Sequence, residues 1–316
     1  MNISSLRVLL ALTVAVAWAG GRLAAAELLA SAPASSIRTL FVGNSLFYGA
    51  HSGVRYYRSG SVSDLNGTGF GGVPALFKAF TMQAGLDYSV SHETVGGKGL
   101  DFHLGEKAGV LTRPWDLAFL LSHSLLDSQR PGDPALLQRS VTGVTRLLRS
   151  GNPAVTIRLV TTLPRPDQVY LADGHWHDRG LERMAADVRE GYEQAAASAS
   201  LVRAVIPAGE AWTLAVRAGI ADANPYDGIG AGLMNLWAED NHHASSQGYY
   251  LEALVIFGAI TGFDPRSLGS EEQCAFDLGM PKRQASALQA VAFDLLAKQP
   301  DSVPLQPFAR QPILHP

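Results

Sequence analysis

The 316-residue sequence has few charged residues and no large excess of either sign. Asp, Glu, Lys and Arg together make up 17% of the chain, and the formal net charge at pH 7 is −3. Proteins that bind nucleic acids usually carry a basic patch or stripe, because they must neutralise the phosphate backbone. The composition gives nucleic-acid binding no electrostatic support, and we set that class of function aside.

Cysteine is almost absent. Cys274 is the only one, so no intramolecular disulfide can form and the fold must be stabilised by its core. Hydrophobic residues account for 47% of the sequence, which is ample for one large α/β domain. Cys274 also has no glycine turn beside it of the kind that exposes a nucleophile, so we interpret it as a structural residue.

Long apolar segments are scarce as well. The first 26 residues contain Arg7, an apolar stretch over 8–18 and an Ala-Ala-Ala sequence over 24–26. This is the layout of a secretory signal peptide cleaved after Ala26, so we expect a secreted or periplasmic protein, with an uncleaved anchor as the alternative. The apolar stretch is shorter than the roughly 20 residues that a membrane-spanning helix needs. No later segment is long and apolar enough to be a membrane helix, and we expect no membrane span in the mature chain.

Five apolar runs enriched in β-branched residues alternate with helical patterns. The predicted strands cover 39–42, 88–93, 117–121, 155–161 and 202–206, and the predicted helices cover 73–84, 134–149, 178–198, 210–218 and 246–261. Such alternation favours a parallel sheet with right-handed crossovers. We predict an α/β fold, a three-layer α/β/α sandwich on a mainly parallel five-stranded sheet. This domain is expected over 27–298, between the signal peptide over 1–26 and a Pro-rich C-terminal tail over 299–316.

Two short motifs predict a serine beside a histidine and an aspartate. An apolar strand leads into Gly-Asn-Ser at 43–45, where glycine and asparagine tolerate unusual backbone angles, and 240–243 reads Asp-Asn-His-His. The serine would lie at the carboxyl edge of the sheet, where open α/β folds build their sites. Because a serine hydroxyl needs a base and a group that orients the base, we predict Ser45 as nucleophile, His243 as base and Asp240 as the orienting carboxylate.

His242 is the alternative base, because it is adjacent to His243. Only His243 has the three-residue spacing from Asp240 that lets one carboxylate hold one imidazole nitrogen in a short loop. We therefore favour His243.

These two motifs resemble the first and last sequence blocks of the SGNH/GDSL hydrolase superfamily. Residues 96–103, Gly-Gly-Lys-Gly-Leu-Asp-Phe-His, are similar to the second block, and 115–121, Trp-Asp-Leu-Ala-Phe-Leu-Leu, to the strand before the third. Residues 245–251 resemble the helix start that follows the histidine, so the resemblance spans 37–263. It implies a flavodoxin-like sandwich and a serine ester hydrolase that needs no metal or organic cofactor.

The third block departs from the family pattern. That block usually ends in an asparagine that donates to the oxyanion, whereas 121–124 reads Leu-Ser-His-Ser. The resemblance implies that the backbone N–H groups of Ser45 and Gly97 form the oxyanion hole. Either Ser122 or His123 has replaced the asparagine, or the hole has two donors alone.

Four further residues are predicted to contact the substrate. His103 falls where similar sequences often have a pocket-lining histidine, with a satisfied surface histidine as the alternative. The long loop over 49–72 follows the nucleophile, and we interpret it as a substrate wall, with a solvated insertion as the alternative. Its Tyr56 and Tyr57, together with Trp176, would suit stacking on sugar rings.

The expected function is ester hydrolysis through an acyl-enzyme, on O-acetyl groups of a polysaccharide or on small esters. The nearest alternative is an O-acyltransferase on the same triad, with a sugar hydroxyl as acceptor. The alternative from another class is a carbohydrate-binding protein that has kept the fold and lost activity. The His-Trp-His-Asp sequence at 175–178 offers a partial zinc ligand set that nothing else in the sequence completes, so we predict no metal site.

Overall fold

The computed structural model describes residues 36–299 and 304–312. The predicted signal peptide over 1–26 lies outside the described residues. Six parallel strands form one sheet in the order β2-β3-β1-β4-β5-β6. The strands are β1 (Ile37–Gly43), β2 (Ser63–Asp64), β3 (Tyr88–Thr94), β4 (Leu117–Leu120), β5 (Thr156–Val160) and β6 (Val202–Ile206).

The sheet has six strands rather than the predicted five. The additional strand, β2, pairs with β3 at the edge of the sheet through two residues only. It lies inside the Gly-rich stretch over 49–72, and a two-residue strand is too short to show an alternating or apolar pattern. The other five strands were predicted within two residues of their bounds, and their order is the flavodoxin-like 2-1-3-4-5.

Strand β1 occupies the middle of the sheet, between β3 and β4. Its residues from Thr39 onward are buried, because helices cover both faces of a parallel sheet and leave no exposed side for polar residues. A strand in this position delivers the residue that follows it to the centre of the sheet's carboxyl edge.

Helices form a layer on each side of the sheet, which confirms the predicted three-layer α/β/α sandwich. In chain order they are α1 (Ser45–Tyr48), α2 (Gly72–Gln83), α3 (Leu100–Glu106), α4 (Ala108–Leu111), α5 (Ala135–Gly151), α6 (Pro166–Tyr170), α7 (Leu181–Ser198), α8 (Glu210–Arg217), α9 (Ser246–Thr261), α10 (Gln273–Asp277) and α11 (Lys282–Ala297). Helices α2, α9 and α11 pack together in one layer, and α3, α5 and α7 pack together in the other. None of the helices in the described ranges is long and apolar enough for a membrane span.

Helix α9 has the predicted bounds but is buried on all sides. Every residue from Gly248 to Gly258 is buried, so the helix has no exposed face over this range. It packs against both α2 and α11, and the sequence analysis did not identify α11 as a helix. Because two helices hold α9, the loop that immediately precedes it is held firmly in place.

The C-terminal segment over 304–312 lies extended against the domain. Gln306 exchanges backbone hydrogen bonds with the turn that follows α9, donating to the carbonyl of Gly262 and accepting from the N–H of Asp264, each at 2.8 Å. The ring of Phe308 packs against Phe257 and Phe263. This part of the tail therefore contributes apolar contacts to the helical layer.

Candidate active site

Ser45 is the first residue of α1, immediately after β1. Asn44 caps this short helix: its side-chain oxygen accepts the N–H of Leu46 at 3.1 Å, and its amide donates to the carbonyls of Lys98 and Ser122, both at 3.0 Å. Asn44 thereby ties the end of β1 to the segments that follow β3 and β4. The turn that carries Ser45 is therefore held by residues that follow the two neighbouring strands, β3 and β4.

The three residues predicted as a triad form one continuous chain of hydrogen bonds. The hydroxyl oxygen of Ser45 lies 2.9 Å from Nε2 of His243, and Nδ1 of His243 lies 2.6 Å from Oδ2 of Asp240. The other oxygen of Asp240 accepts the backbone N–H groups of His242 and His243 at 3.1 and 2.9 Å. With Asp240 as an ionised acceptor, Nδ1 carries the proton and Nε2 is free to accept the proton of Ser45.

The charges of the triad suit a serine nucleophile at neutral pH. Burial alone would raise the pKa of Asp240, but hydrogen bonds from His243 and His242 outweigh it and lower the pKa to about 2. Burial lowers the pKa of His243 below its ordinary value, although Asp240 opposes this shift. The carboxylate is therefore ionised and the imidazole neutral at pH 7, as a general base requires.

Three imidazole rings are stacked at this site. The ring of His51 lies 4.7 Å from that of His243 at an angle of 21°, and the ring of His242 lies 4.4 Å away on a near-parallel plane at 15°. Burial, and then the positive charge of Arg165, lower the pKa of His242 to about 4, so this flanking ring is neutral. The base is clamped between two rings and cannot turn away from Ser45 without displacing one of them.

Sequence reasoning missed His51. It sits in the loop after α1 with a left-handed backbone (φ 59°), and its Nε2 lies 3.5 Å from Asp240. No local pattern pairs it with a histidine so much later in the chain. The only signal was its place in the 49–72 loop beside the nucleophile.

His51, Asp240 and His243 are also the one group in the described parts of the chain whose ligand-type atoms are close enough to hold a metal ion. The two imidazoles are stacked face to face, so their lone pairs lie in nearly parallel planes and do not converge on a common point. Metal binding would in addition remove the proton from Nδ1 of His243. The arrangement suits hydrogen bonding better than coordination.

A cleft of about 340 Å³ opens in front of Ser45. Its walls are mainly polar or small, and its aliphatic side chains are those of Leu46, Ala50 and Leu125. Arg165 also lines the cleft, but its guanidinium is paired with Asp167 at 2.9 and 2.5 Å. Such a cleft has room for a short acyl group and little apolar surface for a long chain.

Gly97 and His123 line the same cleft as Ser45. Gly97 has a left-handed backbone (φ 71°), which favours glycine. The ring of His123 packs so closely over Gly99 that a Cβ there would lie 2.4 Å from it. Nε2 of His123 lies 3.6 Å from Asp101, too far for a hydrogen bond, so it is available to a ligand.

Ser122, the alternative to His123, holds the backbone instead of facing the cleft. Its hydroxyl accepts the N–H of Leu100 at 3.2 Å, at the start of α3, and its own N–H donates to the hydroxyl of Tyr192 at 2.9 Å. The residue is buried and does not line the cleft. The structure therefore favours His123 over Ser122 as a third donor.

The prediction that His103 lines the pocket is wrong, and so is the surface alternative. The side chain is completely buried, and its Nε2 donates to the carbonyl of Gly43 at 2.8 Å. Its Nδ1 lies 3.6 Å from the buried carboxylate of Glu93. His103 therefore anchors the last residue of β1 from the protein interior and so stabilises the turn that carries Ser45.

Tyr57 and Trp176 are also not available for stacking on a sugar. Both are buried: the hydroxyl of Tyr57 donates to Asp277 at 2.9 Å, and the indole N–H of Trp176 donates to Asp187 at 2.9 Å. Tyr56 is exposed but does not line the cleft. The sequence places these aromatic residues in loops, but no local pattern shows which of their rings are buried.

The sequence matches no protein-family model and no curated protein. Among solved structures, the chain is similar to a DUF4886 family protein from Bacteroides uniformis, with a TM-score of 0.57, 14% identity, and coverage of 85% of this chain and 98% of that one. It is also similar to a candidate GDSL-like lipase from Parabacteroides merdae, with a TM-score of 0.51, 16% identity, and coverage of 72% and 96%.

The likeness to both structures is one of fold, and it agrees with the SGNH/GDSL-type α/β/α sandwich that the sequence motifs predicted. The sheet order and the location of the Ser45–His243–Asp240 chain at the carboxyl edge of the sheet fit the same prediction. At identities this low the likeness establishes the fold alone, so the activity must be argued from the site.

Proposed function

We propose that the protein is a serine ester hydrolase that acts through an acyl-enzyme. The observation that carries the proposal is the chain Ser45–His243–Asp240, with hydrogen bonds of 2.9 and 2.6 Å, at the edge of a cleft that also contains Gly97. A fold kept only for binding has no need of a neutral base held against an ionised carboxylate and a serine hydroxyl. That arrangement favours the enzyme over the binding protein.

In the proposed reaction, the Ser45 oxygen attacks the ester carbonyl while Nε2 of His243 takes the hydroxyl proton. Asp240 stabilises the imidazolium that forms, and the N–H groups of Ser45 and Gly97 donate to the oxyanion, together with His123. The imidazolium then returns its proton to the leaving alcohol. A water molecule, activated by the same base, attacks the acyl-enzyme, releases the acid and restores Ser45.

The proposed substrates are esters of short acids, in particular acetyl esters of carbohydrates or of small alcohols. Support for a short acyl group comes from the cleft, which is small and has only three aliphatic side chains. Secretion is proposed from the pattern over 1–26 alone. Under this proposal the acceptor of the acyl group is water, and no metal or organic cofactor takes part.

The proposal is tested with p-nitrophenyl acetate and a serine-reactive phosphonate. The full-length protein should hydrolyse the ester and should be labelled on Ser45 in stoichiometric amount, as mass spectrometry of the peptides would show. Adding glycan hydroxyls as acceptors should yield hydrolysis products and no acylated glycan. A protein that neither turns over the ester nor reacts with the phosphonate would rule out the hydrolase.

The pH profile should reflect the neutral form of His243. Because the unprotonated imidazole is the active base, kcat/KM should fall as the pH drops through the pKa of His243 and should be constant above it. Burial lowers this pKa, so the midpoint should lie below the ordinary value of 6.5. The measurement is kcat/KM for p-nitrophenyl acetate from about pH 4 to about pH 8. A midpoint above 7 would mean that the imidazole is not held in the environment described.

His123→Ala should lower kcat by about a hundredfold with little change in KM. The reason is that a donor to the oxyanion acts mainly when charge develops on the oxygen. Ser122→Ala is the matched control on the neighbouring residue and should change kcat by a few-fold at most. If His123→Ala instead changes KM and leaves kcat intact, the ring is a wall of the cleft and the hole consists of backbone donors.

A further inference from the structure

A cluster of one arginine and three aromatic rings lies next to the candidate active site. The guanidinium carbon of Arg55 is 4.2 Å from the ring centre of Phe70, 5.3 Å from that of Tyr56 and 5.6 Å from that of Tyr48. Phe70 contacts both tyrosine rings. Tyr48 also lines the cleft and lies on the same short helix as Ser45. These four residues, here called the Arg55 cluster, therefore continue the wall of the cleft outward.

Arg55 has no anionic partner in the described part of the chain. Its side chain forms no salt bridge and no hydrogen bond there, and its Nε is buried without a partner. Arg58, three residues later, differs from Arg55 in this respect, because its guanidinium pairs with Asp277 at 2.8 Å. A guanidinium has five N–H donors, and aromatic faces attract its charge without satisfying those donors. Arg55 is thus held in place with its hydrogen-bonding capacity unused.

The loop that carries the Arg55 cluster is fixed without any ligand. A carboxylate oxygen of Asp64 accepts both the backbone N–H and the hydroxyl of Thr68, at 2.6 and 2.7 Å. The carbonyl of Phe70 lies 3.0 Å from Nε2 of His92, and the carbonyl of Arg55 accepts a backbone hydrogen bond of 2.8 Å from the chain after Phe70. A binding surface that is already ordered loses little conformational entropy when its ligand arrives.

A second cation, Lys98, lies on the chain segment that packs against Tyr48. The hydroxyl of Tyr48 packs against Gly96, where a Cβ would lie 2.7 Å from it. Lys98 follows two residues later, is exposed and forms no salt bridge with any described residue. The acid on this side, Asp101, lies beside His123. Arg55 and Lys98 therefore both lie on segments that contact Tyr48, and the ammonium of Lys98 is 5.3 Å from the ring centre of Phe102.

We propose that the part of the ester that stays outside the cleft, its alcohol, carries an anionic group that binds Arg55. This inference rests on the proposed esterase function and narrows its substrate class to esters of anionic alcohols, with a carboxylate or a phosphate as the anion. Both groups match the planar fork of a guanidinium. The exposed ring of Tyr56 provides apolar surface for the ring or sugar to which the anion is attached.

The test compares two matched acetyl esters, 4-acetoxybenzoate and its uncharged methyl ester. Arg55→Gln should reduce kcat/KM for the carboxylate about tenfold, mainly through KM, because losing one charge-assisted hydrogen bond has an effect of about this size. The same substitution should change kcat/KM for the methyl ester less than about twofold. Added salt should reduce the preference of the unmodified protein for the carboxylate. 4-Acetoxyphenyl phosphate tests phosphate as the anion. Arg58→Gln is the control and should leave the ratio of the two esters unchanged.

Equal losses on both esters in Arg55→Gln would mean that Arg55 only supports the fold, and would overturn the proposal. Binding measurements separate this inference from the function on which it rests. Calorimetric titration with 4-hydroxybenzoate and with its methyl ester needs no turnover. Binding that requires the carboxylate and is lost in Arg55→Gln supports the anion site even in a protein without esterase activity. Binding that is the same for both compounds, or unaffected by the substitution, overturns it.

Discussion

Replacing Ser45 by alanine should abolish ester hydrolysis and leave the fold unchanged. The triad acts as a unit whose loss typically costs about four to six orders of magnitude in kcat. The hydroxyl of Ser45 has one side-chain partner, Nε2 of His243, so its removal leaves no other described group without its hydrogen bond. The measurements are the rate with p-nitrophenyl acetate and the midpoint of thermal unfolding.

The matched control for this variant is Ser128→Ala, which removes another hydroxyl from the same cleft. Its rate should stay within a few-fold of that of the unmodified protein. A Ser45→Ala protein that keeps half of its activity would contradict the assignment of the nucleophile. A Ser45→Ala protein that unfolds at a much lower temperature would show that the hydroxyl serves the fold.

Replacing His243 by alanine should have an effect of similar size, about ten-thousandfold or more in kcat. Among the residues that the structure describes, His243 alone joins Ser45 to Asp240, with hydrogen bonds of 2.9 and 2.6 Å. His242→Ala should cause only a modest loss, because its ring stacks on the base and its hydrogen bond to Asp240 comes from the backbone, which alanine keeps. The rates of the two variants with p-nitrophenyl acetate show which of the two histidines is the base.

The reverse order, with a larger loss in His242→Ala, would show that the three-residue spacing from Asp240 had been misinterpreted. His51→Phe offers a further comparison, because it keeps a ring against His243 and removes the nitrogen near Asp240. Comparing it with His51→Asn, which keeps a residue tolerant of the left-handed backbone but removes the ring, separates stacking from the electrostatic contact.

The strands and the longer helices of the first 261 residues followed from the sequence because their signals are local. An apolar run such as β5 or a helical repeat such as α7 is complete within its own segment, and both lie close to their predicted bounds. The meeting of Ser45, His243 and Asp240 also followed, because the spacing in 240–243 is local and parallel strands end at one edge of the sheet. The sixth strand did not follow, since two residues carry no pattern.

The features that could not be predicted from the sequence depend on contacts between segments that are far apart in the chain. The burial of Trp176 is decided by a partner on α7, and the position of His103 by the carbonyl at the end of β1. The stacking of His51 on His243 joins two loops that are far apart in the sequence. Nothing near these residues in the chain distinguishes a buried ring or imidazole from one that faces a substrate.

The central location of β1 makes the appearance of activity a late event in folding. β1 pairs with β3 and β4, which both follow it in the chain, and Ser45 meets a histidine that lies 198 residues further on. Non-local parallel pairings of this kind form slowly, because much of the chain must be ordered before they gain any energy. During refolding, esterase activity should therefore return with the slowest phase, after most of the helical circular dichroism signal.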